Sequence, residues 1–160
     1  PTLNPYASSK YAGEDLCRMY SKLYGLKTTI LRYFNVYGDR QHTTGQYAPV
    51  LGIFMKQSKE GLPLTVTGDG EQRRDFVHVS DVVDANILVA EKNTTSSRVY
   101  NVGSGVSYSI KEIANMISEN ITYINERSGE VFATQAMIEK IKDLGWEPQI
   151  NLQEWIKNLS

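Results

Sequence analysis

Tyr6 and Lys10 are the pair in this sequence best suited to proton chemistry. Four residues apart, they share one face if the segment is helical. A free phenol titrates at about pH 10 and is therefore a poor base at neutral pH. An ammonium about 4 Å away favours the phenolate by about 4 kcal/mol at an effective dielectric of about 20. A tyrosine so activated can take and return a proton near neutral pH, which is what alcohol–ketone interconversion needs. The spacing alone also describes a surface tyrosine beside a surface lysine, so the meaning of the pair depends on its company.

Asn35 follows a predicted strand and opens a loop, and strand ends in open α/β folds are where ligands sit. Its carboxamide donates and accepts, which suits a sugar hydroxyl, a phosphate oxygen or an ordinary turn. Arg74 and Arg127 each carry a planar donor fork for a phosphate, or for an ion pair with Asp75 or Glu130. Gly68-Asp69-Gly70 and Gly103-Ser104-Gly105 both begin a G-x-G, but their sixth positions are Arg73 and Tyr108. Neither completes the dinucleotide fingerprint, so both read as turns and the pyrophosphate cradle is expected elsewhere. His42 and His78 have no partners at a metal-ligand spacing, so no metal is expected. No serine lies in G-x-S-x-G, which argues against a serine hydrolase. Cys17 stands alone and reads as a space-filler on a helix.

The elements that must position these groups alternate between helix and strand. Asn4-Pro5 opens a helix that runs from Tyr6 to Tyr24, and Gly25 closes it. Lys27 to Tyr33 is β-branched and reads as a strand, followed by a polar loop from Asn35 to Gln46. A helix is expected from Pro49 to Glu60, then strands at Leu64 to Thr67 and Asp75 to Val79. Ser80 is the expected cap of a helix through Ala90. A strand at Arg98 to Val102 precedes a capping box, Ser109 with Glu112, and its helix. Ile121 to Ile124 reads as a strand, Thr134 to Leu144 as a helix, and Asn151 with Glu154 as the start of a last helix. Such alternation predicts an α/β fold.

Composition limits the partners. The 160 residues are 41% hydrophobic and 22% charged, in the globular range. A net charge of −1 leaves no basic footprint for nucleic acid. The longest apolar stretch, Ile87 to Ala90, is too short to span a bilayer, and no N-terminal signal pattern stands out. A cytoplasmic protein without membrane or nucleic-acid partners is the expectation. The sequence begins at Pro1, directly against a motif, so a piece of a larger protein is expected.

Six motifs then occur in one order. They are Pro5-Tyr6-Ala7-Ser8-Ser9-Lys10, Leu31 to Gly38 (LRYFNVYG), Gly68 to Val79 (GDGEQRRDFVHV), Tyr100 to Gly105, Arg127 to Glu130, and Leu144 to Pro148. In this order they resemble the C-terminal half of an extended short-chain dehydrogenase/reductase of the NAD-dependent epimerase/dehydratase family. Within it, they are most similar to the UDP-glucose 4-epimerase branch. The resemblance implies the last helix and strand of a Rossmann-type parallel sheet in residues 1–40. Residues 41–160 would be mainly a small α/β substrate-binding domain, with some segments returning to the Rossmann sheet.

The resemblance also implies roles. Tyr6 would exchange the proton of a sugar 4-hydroxyl while hydride passes to NAD, and Lys10 would bond the nicotinamide ribose and support the tyrosinate. Tyr33 would line the nicotinamide site. Asn35, Arg74 and Arg127 would contact the diphosphate of a UDP-sugar or related nucleotide sugar, with Val50 near the nucleotide. In relatives the tyrosine helix helps pair subunits, which implies a homodimer or a swapped assembly. Departures stand beside these matches. The glycine-rich half and its Ser/Thr partner of the tyrosine are missing, and the stretch from Ile117 to Arg127 is short. Glu154-Trp155-Ile156 replaces a Glu-Gly-Leu-like turn. The implied function is a nucleotide-sugar 4-epimerase whose C-terminal piece alone is inactive. A 4,6-dehydratase or decarboxylase on the same scaffold, and a non-catalytic binding module, are the alternatives.

Overall fold

The structure, a computed structural model, describes residues 4–45, 48–92, 97–126 and 131–159. Helix α1 spans Pro5–Tyr24, with Asn4 Oδ1 accepting from the Ala7 N–H at 2.9 Å and Gly25 closing it at φ 66°. Strand β1 (Thr29–Tyr33) and β2 (Asn35–Tyr37) lead to α2 (Val50–Lys59). Then come β3 (Leu64–Thr67), β4 (Arg73–His78) and α3 (Val79–Glu91). The chain continues through β5 (Arg98–Val102), β6 (Ser107–Ser109), α4 (Ile110–Ile117) and β7 (Ile121–Ile124). Two short helices, α5 (Glu139–Lys142) and α6 (Leu152–Lys157), complete it.

Pairing is mostly parallel, and helices pack against the strands, as α/β alternation requires. Strands β1 and β5 run parallel, with Leu31 opposite Tyr100. In the three-stranded sheet β2-β4-β6, Asn35 lies opposite Phe76, and β6 is antiparallel with Arg74 opposite Tyr108. Strands β3 and β7 form a third, parallel pair.

Two apolar cores meet at β4. Successive side chains of a strand point to opposite faces. Phe76 therefore enters one core with Tyr37, Leu51, Phe54, Leu64 and Ile113. Val77 enters the other with Val82, Ala85, Tyr100, Val102 and Trp146.

The structure departs from expectation at four places. Asn35–Tyr37 is strand β2, not loop, because its backbone pairs with the buried β4. Helix α3 is capped by His78, whose Nδ1 accepts from the Ser80 N–H at 3.2 Å, so Ser80 lies inside the helix. Strand β6 was not anticipated; Ser107–Ser109 is too short for a periodic signal. The helix expected over Thr134 to Leu144 shrinks to α5. Tertiary bonds compete there: the Ala136 N–H goes to Asp75, and the Met137 carbonyl accepts from Asn101 Nδ2 at 3.1 Å.

No residue of α1 is buried. The helix is held instead by Glu14, whose Oε1 and Oε2 accept from Arg32 Nε at 2.6 Å and Nη2 at 2.7 Å. Arg18 Nη2 adds a third bond at 3.1 Å. Hydrogen bonding from Arg32, above all, holds the Glu14 carboxyl below its ordinary value; burial opposes this, and Arg18 reinforces it.

Two outcomes follow from this architecture. Because the Glu14 value is lowered, the pair stabilises the fold fully above the ordinary value of 4.5, and that contribution is lost as pH falls through the lowered value. The stability difference between the wild type and Glu14→Gln in urea unfolding should stay constant from neutral pH down to about pH 5 and shrink below it. A difference that already shrinks at neutral pH would refute this. A Cβ at Gly103 would collide with the Ala136 Cβ and stand 3.0 and 3.1 Å from the two Asp75 carboxylate oxygens. Gly103→Ala should therefore lower stability by about 1–3 kcal/mol in the same assay. A loss under about 0.5 kcal/mol would mean that the 136 segment simply gives way.

Candidate functional site

The first turns of α1 carry Tyr6 and Lys10 on one face, with Lys10 Nζ 5.3 Å from the centre of the Tyr6 ring. Tyr6 is 67% exposed and sits next to the helix N-terminus, whose dipole favours a negative charge. Glu14 continues the same face one turn further on, so its bonds to Arg32 on β1 fix the rotation at which Tyr6 and Lys10 are presented. Tyr33 closes β1 half-exposed, and its Oη donates to Asn86 Oδ1 at 2.9 Å. It lines a groove with Leu31 and Val89, not the cleft formed by Asn35, Val50 and Arg74.

Asn35, Val50 and Arg74, from β2, α2 and β4, do come together. They line a cleft of about 280 Å³ whose other walls include Phe54, Ile110 and Ile124. Asn35 Nδ2 donates to the Asp75 carbonyl at 2.8 Å, which aims the carboxamide. Arg74 Nη1 donates to the Arg73 carbonyl at 2.8 Å and to the Phe132 carbonyl at 3.4 Å, so its fork is oriented by backbone acceptors. Arg127 lies outside the described residues, as does Glu130, its suggested ion-pair partner. Tyr6 and Lys10 are not among the cleft-lining residues.

Asp75 was considered only as a partner for Arg74. It is instead fully buried, and its carboxylate collects backbone donors. Oδ1 accepts from the Ser104 N–H at 2.7 Å and Ser104 Oγ at 2.8 Å. Oδ2 accepts from the Gly105 and Ala136 N–H groups, each at 2.9 Å. The Gly103-Ser104-Gly105 turn is thus an anion-binding nest whose anion is this chain's own side chain. The other turn, Gly68-Asp69-Gly70, is packed against Val66, Lys111 and Glu126. Gln72 was also missed; it lines the cleft and donates from Nε2 to the Thr67 carbonyl at 2.9 Å. Its signal was its place in the GDGEQRRDF run, between the turn and the arginines.

Two tyrosines of β2 and β6 are unsuited to proton transfer. Tyr37 is buried, and burial, reinforced by the charge of Asp81, raises its phenol well above the ordinary value. Burial also raises Tyr108, with Glu112 and Asp75 acting in the same direction. Both remain neutral donors at physiological pH. Among the described residues no cluster of His, Cys, Asp and Glu is arranged for a metal ion. Among them, too, no helix is long and apolar enough to cross a membrane.

The sequence profile of the NAD dependent epimerase/dehydratase family matches residues 1–103. A Methanocaldococcus jannaschii protein provisionally named a UDP-glucose 4-epimerase is 39% identical over 98% of this chain and 52% of its own length. The solved UDP-glucose 4-epimerase of Thermotoga maritima, with UDP-glucose, is 37% identical with a TM-score of 0.89, over 96% of this chain and 51% of that one. The Thermus thermophilus UDP-glucose 4-epimerase complexed with NAD superposes with a TM-score of 0.88 at 33% identity, over 98% of this chain and 53% of that one. Relatives of other activity include a Xenopus tropicalis UDP-glucuronic acid decarboxylase, 35% identical over 93% of this chain and 36% of its own length. They also include a mouse dTDP-D-glucose 4,6-dehydratase, 31% identical over 96% of this chain and 46% of its own length. The chain spans about half the length of most of these relatives. Motif order, fold and cofactor class agree, and the chain belongs to the NAD-dependent epimerase/dehydratase family.

Proposed function

We propose that this chain is the tyrosine-bearing and substrate-binding part of a nucleotide-sugar 4-epimerase. The observation that carries the reading is the convergence of Asn35, Val50 and Arg74 on one cleft. A guanidinium and a carboxamide facing apolar walls suit a nucleotide diphosphate: the fork pairs with phosphate oxygens and the walls cover the base. Arg127 is assigned to the same diphosphate from its motif alone. The unit formed by residues 1–40, with β5 returning to pair with β1, is the end of the cofactor domain; most of residues 41–160 is the substrate domain.

The Tyr6 hydroxyl and Lys10 ammonium are an exposed donor set that fits the nicotinamide-ribose end of NAD, with Tyr33 assigned beside them. Neither described G-x-G turn offers a pyrophosphate cradle, since Asp75 fills one and side chains pack against the other. NAD, when bound, supplies a hydride acceptor for the sugar C4 position and the hydride that later returns. Tyr6 accepts the proton of the 4-hydroxyl and gives one back to the 4-keto oxygen. Lys10 stabilises the intervening tyrosinate by its charge. Hydride returned to the opposite face of the 4-keto sugar would invert C4. The 160 residues alone, without the cradle, do not turn over. The exposed Leu16, Met19, Tyr20 and Leu23 of α1 support pairing as a homodimer or swapped assembly.

Two measurements test the reading. Titrated with UDP, the chain should bind, and Arg74→Ala should weaken binding about ten- to a hundredfold, the worth of a charged hydrogen bond. Equal affinity for the two proteins would remove the diphosphate from this cleft. In a protein that unites both halves, Tyr6→Phe should lower kcat about 10²–10⁴-fold with UDP-glucose. Products should be 4-epimers; 4-keto-6-deoxy or decarboxylated products would move the chain to the dehydratase or decarboxylase reading.

A further inference from the structure

We propose that Asp75 is a positioning residue for the cleft: its buried carboxylate sets the orientation of two of the polar groups that line it, Asn35 and Arg74. This rests on reading the cleft as the nucleotide-diphosphate site.

The argument begins with the cost of burial. A fully buried carboxylate must recover its lost hydration through hydrogen bonds. Among the described residues no cation pairs with Asp75, so four N–H and O–H donors do this instead, from Ser104, Gly105 and Ala136. These donors lie 29, 30 and 61 residues away in sequence, so the carboxylate clamps two remote segments onto β4.

Each clamp reaches the cleft. On the β2 side, the backbone carbonyl of the same residue receives Asn35 Nδ2 at 2.8 Å, so the carboxamide is aimed by the stretch of β4 to which the carboxylate ties the two remote segments. On the other side, the grip on Ala136 anchors the segment running back to Phe132. That segment lies along β4 through two further bonds, from the Arg73 N–H to the Phe132 carbonyl at 2.7 Å and from the Thr134 N–H to the Arg73 carbonyl at 3.1 Å. The Phe132 carbonyl is in turn an acceptor for Arg74 Nη1. The alternation of β4 separates the two tasks. Asp75 faces the clamp, while Arg74 before it faces the cleft. A small displacement of the clamp therefore moves ligand-facing groups that it does not touch.

The test uses the whole 160-residue chain, with UDP as the probe, in isothermal titration. Ser104→Ala removes one of the four donors and lies outside the cleft lining. It should weaken UDP binding about three- to tenfold while the far-ultraviolet circular dichroism is unchanged. Ser104→Thr, which restores the hydroxyl, should recover the affinity. Asp75→Asn should weaken binding more than Ser104→Ala; if Asp75→Asn does not fold, the Ser104 series decides alone. The readout that separates positioning from general stability is a double-mutant cycle. In the Asn35→Ala/Arg74→Ala background, Ser104→Ala should have no further effect on UDP affinity. If UDP binds the wild type and Arg74→Ala weakens it, but Ser104→Ala is silent or fully additive, the positioning role is overturned alone. If the wild type does not bind UDP, the reading of the cleft falls, and the role of Asp75 falls with it.

Discussion

A buried carboxylate compensated by backbone donors is the constraint around which this chain is arranged. Desolvating an ion costs several kcal/mol even after the protein relaxes. Asp75 meets that cost with donors from the Gly103-Ser104-Gly105 turn and from Ala136. Asp81, at the start of α3, does the same further along: its carboxylate accepts from the N–H groups of Gln149 at 3.0 Å and Ile150 at 3.2 Å. Its backbone carbonyl accepts from Trp146 Nε1 at 2.9 Å. The C-terminal stretch, whose described elements are two short helices, is thereby fixed to β4 and α3 by two acids in addition to its Ile141, Trp146 and Leu152 in the two cores.

The same economy appears at α1, with the opposite balance of forces. Strand β4 is gripped by two apolar cores, whereas α1 buries no residue and relies on the Glu14–Arg32 pair. Its Leu16, Met19, Tyr20 and Leu23 stand exposed. A monomeric protein rarely leaves so large an apolar face uncovered. The Tyr6–Lys10 face and the cleft of Asn35, Val50 and Arg74 thus rest on different supports. The cleft is built on a strand locked from both sides, and the Tyr6–Lys10 helix is tethered by charge.

Much of this was legible in particular residues. Asn4-Pro5 and Gly25 marked the ends of α1, and the Ser109–Glu112 capping box opened α4 with both reciprocal bonds in place, because caps are local chemistry that any context preserves. The order of the motifs was enough to identify the family, since that order is a property of the chain and not of its packing. Asn35, Val50 and Arg74 were singled out by motif. Their convergence was not readable, because 15 and 39 residues of chain separate Val50 and Arg74 from Asn35.

Where sequence reasoning failed, a nonlocal bond had outweighed a local preference. Thr134 to Ile138 carries helical patterning, yet its amides and carbonyls are drawn off by Asp75, Arg73 and Asn101. Ser80 is a good helix cap by type, yet His78 takes the role because β4 delivers its imidazole to the right place. The sequence by itself determined the α/β alternation, the helix ends and the family, all of which depend on residues near one another in the chain. Only the tertiary structure decided that the Gly-Ser-Gly turn binds an anion and that the anion is Asp75. The physical reason is that a buried charge selects its donors by proximity in space, which no local pattern encodes.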